Sequence, residues 1–196
     1  AFGRDVLDQQ PMSISWENEL SIACLKYRHQ YPGAGLLLED EGKLIGRLII
    51  PSGFYARMLQ APRVLLERSH DDRVSITRED YISQSWPLYQ YHYPDDAENQ
   101  FSSYVLDNLG RIKKRLGGER YEKVHHIFSE ALKRLFDTGQ SDGFDEGISL
   151  LLLEYYDPMY QYQLKKKDVK IIFSGSESDI LQWAEQSMGQ MSQTSS

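Results

Sequence analysis

Three short, continuous apolar runs constrain the fold of this chain more than any other feature. They lie at residues 35–40, 63–68 and 169–173, and the first two end in charged side chains. A strand of a parallel sheet is buried on both faces, so it is apolar throughout instead of alternating with polar residues. Residues 51–60 predict a short helix that could connect the first two runs. The pattern predicts an α/β fold with a parallel sheet of about three strands.

The segment between the second and third runs is helical in pattern, so the chain is helix-rich overall. Residues 106–116 and 121–136 carry apolar side chains at helical spacing and end near Gly117 and Gly139, which are typical stop signals. Residues 86–99 are polar and aromatic, and we expect a loop there. The predicted domains are a sheet core at 1–70 and 168–188, a helical insertion or lid at 71–167, and a disordered tail at 189–196.

Composition excludes several classes of protein. The single cysteine, Cys24, rules out an internal disulfide framework and a multi-cysteine zinc site. The five histidines lack the spacing of metal ligands, so we predict no metal site built on them. A net charge of −7 argues against a generic basic nucleic-acid binder. No apolar run approaches the roughly 20 residues that span a bilayer, so we expect a cytoplasmic protein without membrane contact.

Charged side chains follow the first two predicted strands. Glu39 and Asp40 end the first run, Arg68 ends the second, and Arg73 follows shortly after. Open α/β sheets bind ligands beyond the carboxyl ends of their strands, which predicts a phosphate or metal site here. The alternative is that these charges simply meet solvent. No phosphate-binding Gly-x-x-x-x-Gly-Lys-Ser/Thr loop is present in the sequence.

Residues 111–134 hold eight basic residues against three glutamates. Such a local excess in an acidic chain can contact the phosphates of a nucleic acid. The candidates are Arg111, Lys114, Arg115 and Arg120. The alternative interpretation is the solvated face of a helix.

Residues 150–167 join an apolar run to four tyrosines and three lysines. Asp157 precedes a proline, which disfavours the α conformation, so the helix should stop or kink there. Tyr156, Asp157, Tyr160 and Lys165 are candidates for substrate binding. The alternative is that the tyrosines pack into the core.

Several of these segments together resemble a known family. The matching motifs are Ala1-Phe2-Gly3, Leu38-Glu39-Asp40-Glu41, Ala61-Pro62-Arg63-Val64-Leu65-Leu66-Glu67-Arg68, Arg115-Leu116-Gly117-Gly118-Glu119-Arg120 and Tyr155-Tyr156-Asp157-Pro158-Met159-Tyr160-Gln161-Tyr162-Gln163-Leu164. In this order they resemble the C-terminal, P-loop NTPase-like domain of tRNA 2-selenouridine synthases. One departure is Gly42-Lys43, where the family tends to have Ser-Arg.

The resemblance implies a reaction and its participants. The family converts wobble 2-thiouridine of tRNA to 2-selenouridine through a geranylated intermediate, with geranyl diphosphate and selenophosphate as co-substrates. Mg²⁺ is a further candidate cofactor. It also implies that Glu39, Asp40, Arg68 and Arg73 lie at the phosphate site, that Tyr156, Asp157, Tyr160 and Lys165 shape the substrate pocket, and that the basic residues contact tRNA.

The resemblance further implies that this chain begins after the family's P-loop. We therefore expect it to lack that loop and the N-terminal rhodanese domain, whose cysteine is the family's nucleophile. No catalytic residue is assigned within the chain, Cys24 does not inherit that role, and the fragment alone should be inactive. Two other interpretations remain: a noncatalytic helical module that binds RNA or a partner, and a small-molecule phosphotransferase-like domain.

Overall fold

A computed structural model describes residues 10–40, 42–166 and 170–193. These residues divide into two compact units. We call residues 68–166 the helical unit, and residues 10–67 together with 170–193 the sheet unit. No helix among the described residues is long and apolar enough to cross a membrane.

The helical unit is built from six α-helices and three tighter or wider helical turns. In chain order they are α3 (His70–Arg78), a π-helical turn (Glu79–Ser83), α4 (Ser85–His92), α5 (Ala97–Leu116), α6 (Gly118–Thr138), a 3₁₀ turn (Asp142–Phe144), α7 (Asp145–Leu151), a second π-helical turn (Leu152–Tyr156) and α8 (Asp157–Lys166). Its core lies between α5 and α6 and includes Phe101, Val105 and Leu109, which are completely buried.

The α5–α6 hairpin confirms the two strongest helix predictions. Apolar side chains recur along one face of each helix, so pairing the helices removes both faces from water. Gly117 joins them at φ 91° and Gly139 ends α6 in the left-handed conformation at φ 75°. Glycine adopts these angles without the steric cost that a Cβ brings.

The sheet unit contains three helices and two small sheets. Its elements are α1 (Ser13–Gln30), β1 (Leu44–Ile45), β2 (Leu48–Ile49), α2 (Ser52–Gln60), β3 (Arg63–Leu66), β4 (Ile171–Gly175) and α9 (Glu177–Gln193). β1 and β2 pair antiparallel, and β3 pairs parallel with β4, with Leu66 opposite Gly175. Trp183 of α9 stacks on Phe173 of β4 at 5.4 Å between ring centroids. The second and third predicted strands and the helix between residues 51 and 60 are therefore confirmed; Val169 lies outside the described residues.

The first predicted strand is wrong. Residues 35–40 form no strand, and Leu36, Leu37 and Leu38 are between 47% and 49% exposed. A strand needs a neighbour to pair its backbone groups, and none pairs with this run in the described part of the chain. The three-stranded P-loop-like sheet is consequently not found there: the helix-rich α/β class holds, but each sheet has two strands.

The predicted loop at residues 86–99 is also wrong. α4 runs to His92 and α5 begins at Ala97. Trp86, Tyr89 and Tyr93 recur at helical spacing and pack against the core, and the rings of Trp86 and Tyr89 lie 5.3 and 5.2 Å from that of Phe101. The polar residues around these aromatics form the solvent face of the helix.

Two predicted helix ends also differ from the structure. The predicted stop at Asp157 is wrong, since the chain passes from a π-helical turn directly into α8 at that residue; the alternative of a kink stays a prediction. Helix α9 reaches Gln193, so residues 189–193 of the predicted tail are helical, and residues 194–196 lie outside the described part.

Candidate functional site

The helical unit contains a half-open cavity of about 320 Å³. We call it the helical cavity. Its apolar lining comes from five side chains, which are Ile82, Phe128, Ile148, Leu151 and Leu152. Its hydroxyl-bearing lining comes from four, which are Thr77, Tyr81, Tyr156 and Tyr160. The volume lies within the range of small-molecule sites, and so does the mixture of an apolar wall and a few polar groups.

The two groups of lining residues define an inner and an outer end. Phe128, Ile82, Leu151 and Ile148 are at most 5% exposed, whereas Tyr160 is 55% exposed. The inner end is therefore closed and apolar, and the outer end is open and carries phenol groups. Such a cavity accepts an apolar group with its polar end directed outward.

Both π-helical turns contribute to the cavity wall. Tyr81 and Ile82 belong to the first, and Leu152 and Tyr156 to the second. In each turn a backbone N–H reaches five residues back: Gln84 to the carbonyl of Glu79 at 3.0 Å, and Asp157 to that of Leu152. Such a turn inserts one residue into a helix and is frequent at functional sites. The spacing of apolar residues in the sequence does not reveal a π-helical turn.

Arg73 and Asp157 form a bidentate ion pair close to the outer end. Arg73 Nη1 donates to Asp157 Oδ2 at 3.0 Å and Nη2 donates to Oδ1. The hydrogen bond to Asp157 raises the pKa of Arg73, against the smaller lowering effect of burial. Thr77 follows Arg73 by one helical turn, and Tyr156 and Tyr160 flank Asp157 in sequence. The pair therefore fixes α3 against the start of α8, next to Tyr156 and Tyr160, which line the cavity.

Tyr156 is a neutral hydroxyl within this site. Burial raises its pKa to about 12, with smaller contributions from Tyr155, Tyr160 and Tyr81. At physiological pH its phenol keeps its proton and can donate a hydrogen bond to a ligand.

Two further polar contacts hold α3 against α7. Arg78 Nη1 donates to Asp145 Oδ2 at 2.5 Å, and His70 Nε2 lies 2.8 Å from Ser149 Oγ. Together with the pair of Arg73 and Asp157, they join α3 to α7 and α8 at three points. The wall that carries Thr77 and Tyr81 is thereby held opposite the wall from α7 and α8.

The tip of the α5–α6 hairpin carries exposed cations. Lys114, Arg115 and Lys123 make no hydrogen bond or ion pair within the described structure. Two other predicted contacts are engaged: Arg111 donates to Asn108 at 2.8 Å and Arg120 donates to Glu154 at 2.5 Å. We call Lys114, Arg115 and Lys123 the basic tip, since they are the cations there that remain available to an external anion.

The remaining candidates from the sequence lie elsewhere. Asp40 accepts from Arg63 at 2.9 Å in the sheet unit, and Glu39 is exposed beside it. Lys165 is exposed on α8, and Arg68 begins the helical unit. Within residues 10–40, 42–166 and 170–193, no group of three or more His, Cys, Asp or Glu side chains could hold a metal ion.

The structure brings together four of the predicted site residues, which are Arg73, Tyr156, Asp157 and Tyr160. Sequence reasoning missed the opposite wall, above all Thr77, Tyr81 and Phe128. Arg73, Thr77 and Tyr81 are spaced four residues apart, so a single helical face was visible in the sequence. The sequence did not show which side chains this helical face would contact.

These features define a helix-rich α/β protein whose helical unit holds an apolar cavity beside a basic hairpin tip. The family model for the tRNA 2-selenouridine synthase AAA domain matches residues 1–191. This chain belongs to the tRNA 2-selenouridine synthase family.

Individual relatives agree with that assignment. A tRNA 2-selenouridine synthase of Marinobacter nauticus is 41% identical over 185 residues, covering 94% of this chain and 50% of the relative. One from a Shewanella species is 40% identical, covering 93% and 50%, and one from Hydrogenovibrio crunogenus is 40% identical, covering 90% and 46%. The chain thus spans about half the length of the curated relatives it matches. No solved structure matches it.

Proposed function

We propose that this chain is part of an enzyme that converts wobble 2-thiouridine of tRNA to 2-selenouridine, and that its helical cavity holds the isoprenoid group of a geranylated intermediate. The family assignment supports the overall reaction, since the matched relatives are named for it. The observation that carries the role of this chain is the helical cavity itself. It is closed and apolar at its inner end and lined by phenols at its outer end.

The chemistry proposed for this site has two steps. The sulfur of 2-thiouridine forms a bond to the allylic carbon of geranyl diphosphate, while the carbon–oxygen bond breaks and diphosphate and the N3 proton leave. The selenium of selenophosphate then forms a bond to C2, geranyl thiol leaves with a proton, and water takes the phosphoryl group. Alkylation makes sulfur a better leaving group, which is why an isoprenoid site belongs in an enzyme that exchanges sulfur for selenium.

The residues of the chain have positioning roles in this proposal. The apolar inner end takes the isoprenoid chain out of water, and burying its methylene groups is favourable by about 0.8 kcal/mol each. The neutral hydroxyl of Tyr156 donates a hydrogen bond near the outer end. Arg73 donates one N–H from each terminal nitrogen to Asp157, and this pair holds the wall of the cavity. The remaining N–H donors of Arg73 are the groups that would make the predicted phosphate contact.

The remaining parts of the reaction are assigned more broadly. The basic tip contacts the tRNA backbone, and the rhodanese cysteine that the resemblance implies is supplied from outside this chain. Because the proposed substrate is tRNA, the proposed place of action is the cytoplasm.

Mg²⁺ fits the described residues poorly. Asp40 is already paired with Arg63, and no group of three possible ligands occurs among the described residues.

The cavity assignment can be tested on the chain itself by titrating it with geranyl diphosphate. Leu152 lines the cavity, whereas its neighbour Leu153 is 54% exposed. We expect Leu152→Gln to weaken binding about tenfold, because the wall loses an apolar contact and gains a polar group. Leu153→Gln should leave binding unchanged. Calorimetry that finds no binding, or equal losses in the two variants, would contradict the proposal.

The overall reaction can be tested with a chimaera in which this chain replaces the matching half of the Marinobacter nauticus relative. The chimaera should form 2-selenouridine in thiolated tRNA, measured by mass spectrometry, and formation should require geranyl diphosphate as well as selenophosphate. Carrying Leu152→Gln into the chimaera should slow formation, and Leu153→Gln should not. A chimaera that folds, binds tRNA and forms no product would overturn the proposal.

The basic tip favours one second candidate, a noncatalytic RNA-binding module. Its three cations lie exposed and without partners within the described structure. In that case the chain alone would bind tRNA tightly, Leu152→Gln would not matter, and geranyl diphosphate would have no effect on tRNA affinity. The same titrations therefore separate the two functions.

A further inference from the structure

The inner end of the helical cavity is lined by the ring of Phe128, which is packed tightly on two other sides. Phe128 of α6 is 2% exposed and is the largest of the buried side chains that line the cavity. On one side it packs against Phe144, with 5.4 Å between ring centroids. On another it faces Gly147 of α7, where an added Cβ would fall 2.8 Å from the ring carbon Cδ1. Helix α7 therefore approaches the ring as closely as a residue without a side chain allows.

A fixed floor gives a cavity a defined depth. A floor that swings aside accepts apolar groups of different lengths, but Phe144 and Gly147 block the ring of Phe128 from retreating from the cavity on two sides. The outer end imposes no comparable limit, since Tyr160 is 55% exposed. Discrimination by length must therefore arise at the floor.

We propose that Phe128 is the specificity-determining residue that sets the length of the isoprenoid chain the helical cavity accepts. This inference rests on the proposed function, in which the cavity holds a geranyl group. A chain one isoprene unit longer, farnesyl, meets the ring before its diphosphate reaches the outer end. A chain one unit shorter, dimethylallyl, leaves the inner end unfilled and loses the contacts that make burial favourable.

The decisive experiment compares geranyl and farnesyl diphosphate binding to the chain by calorimetry, with inorganic pyrophosphate as a probe of the head group alone. Phe128→Leu shortens the floor residue and keeps it apolar. We expect it to shift the ratio of farnesyl to geranyl affinity roughly tenfold or more toward farnesyl, the scale on which apolar pockets discriminate size. The unmodified chain should prefer geranyl diphosphate.

Phe136→Leu is the matched control. Phe136 lies on the same helix, is partly buried, and packs against Trp86 at 5.0 Å instead of lining the cavity. The same substitution there removes similar apolar volume, so it should lower stability without changing the farnesyl-to-geranyl ratio. A general loosening of the core would move the ratio in both variants and would overturn the inference.

A second variant tests the floor in the opposite direction and does not depend on Phe128→Leu folding. Leu151→Phe adds a ring at the inner end, where Leu151 is 4% exposed. It should weaken geranyl diphosphate binding roughly tenfold and leave dimethylallyl diphosphate binding nearly unchanged.

Different results would contradict the proposed function of the cavity and the proposed role of Phe128. If the unmodified chain binds pyrophosphate as well as it binds geranyl diphosphate, the cavity does not hold the isoprenoid and the proposed function falls. If it prefers geranyl diphosphate but neither Phe128→Leu nor Leu151→Phe changes the length preference, the proposed function stands and Phe128 does not set the length.

Discussion

The ion pair between Arg73 and Asp157 joins the two walls of the cavity, and its loss should be measurable. Asp157→Ala leaves a partly buried guanidinium without its charged partner. Charge-assisted hydrogen bonds contribute up to about 3 kcal/mol, and partial exposure reduces this, so we expect a loss of about 1–2 kcal/mol in the free energy of unfolding. Urea denaturation measures it.

Glu130→Ala is the control for that prediction. Glu130 pairs with Lys133 on the surface of α6 at 2.7 Å, and exposed pairs contribute little to stability. Glu130→Ala should therefore leave the urea midpoint nearly unchanged. Equal effects of the two variants would show that the pair of Arg73 and Asp157 is an ordinary surface contact.

Tyr156 makes stability depend on pH at the alkaline end. Its pKa is raised to about 12 in the folded chain, whereas an unfolded tyrosine titrates near 10. Between these values the unfolded state binds fewer protons than the folded state, so stability falls as pH rises from about 10 to about 12. Tyr156→Phe should remove this part of the slope. Unfolding midpoints measured across that range for both proteins give the difference, and identical slopes would contradict the assignment.

At the residue scale, the sequence could identify one wall of the site but not the other. Tyr156, Asp157 and Tyr160 were visible because four tyrosines and an Asp-Pro step within eight residues are unusual. Phe128 looked like any apolar residue of an amphipathic helix, and Gly147 like an ordinary glycine. Their importance comes from contact across two helices, which spacing along one chain does not encode.

At the scale of elements, the approach of α6 to α7 depends on Gly147. Gly147→Ala would push its Cβ into the ring of Phe128, and overpacking of this kind costs typically about 1–3 kcal/mol. It should also reduce the depth of the cavity and weaken geranyl diphosphate binding. Thermal unfolding and calorimetry measure the two effects.

Gly110 of α5, unlike Gly147, has room for a side chain. It lies within the helix, is exposed, and has no atom near the position of an added Cβ. Gly110→Ala should stabilise the chain by about 0.5–1 kcal/mol, since alanine is the better helix former. If both substitutions destabilise the protein, the close packing at Gly147 is not what distinguishes them.

Helix boundaries show where local sequence rules held and where they did not. The long helices α5 and α6 were predictable because their apolar period matches the helix and glycine ends each one. Asp157 was expected to end or kink its helix, because Pro158 lacks a backbone donor and restricts the residue before it. The helix does not end there: a π-helical turn immediately before Asp157 changes the hydrogen-bond pattern without leaving the helix.

At the scale of the whole molecule, the two units differ in how far the sequence determines them. The helical unit buries a continuous core, and its helices could be read from local periodicity. The pairing of β3 with β4 joins residues more than a hundred positions apart, and the apolar run at 35–40 has no strand partner among the described residues. Apolar composition alone cannot reveal which runs find a partner.

The charge of the molecule constrains the proposed binding of tRNA. With a net charge of −7, the chain repels a polyanion unless a local group of cations overcomes the total. The basic tip supplies three such cations.

Each phosphate contact contributes about 0.7 to 0.9 to the slope of log affinity against log salt concentration, so replacing Lys114, Arg115 and Lys123 by alanine should lower the slope by about two. Lys133→Ala, which removes a cation already paired with Glu130 on α6, should change it little. Filter binding of tRNA across a salt series measures the slope, and an unchanged slope in the triple variant would place the tRNA contact elsewhere on the molecule.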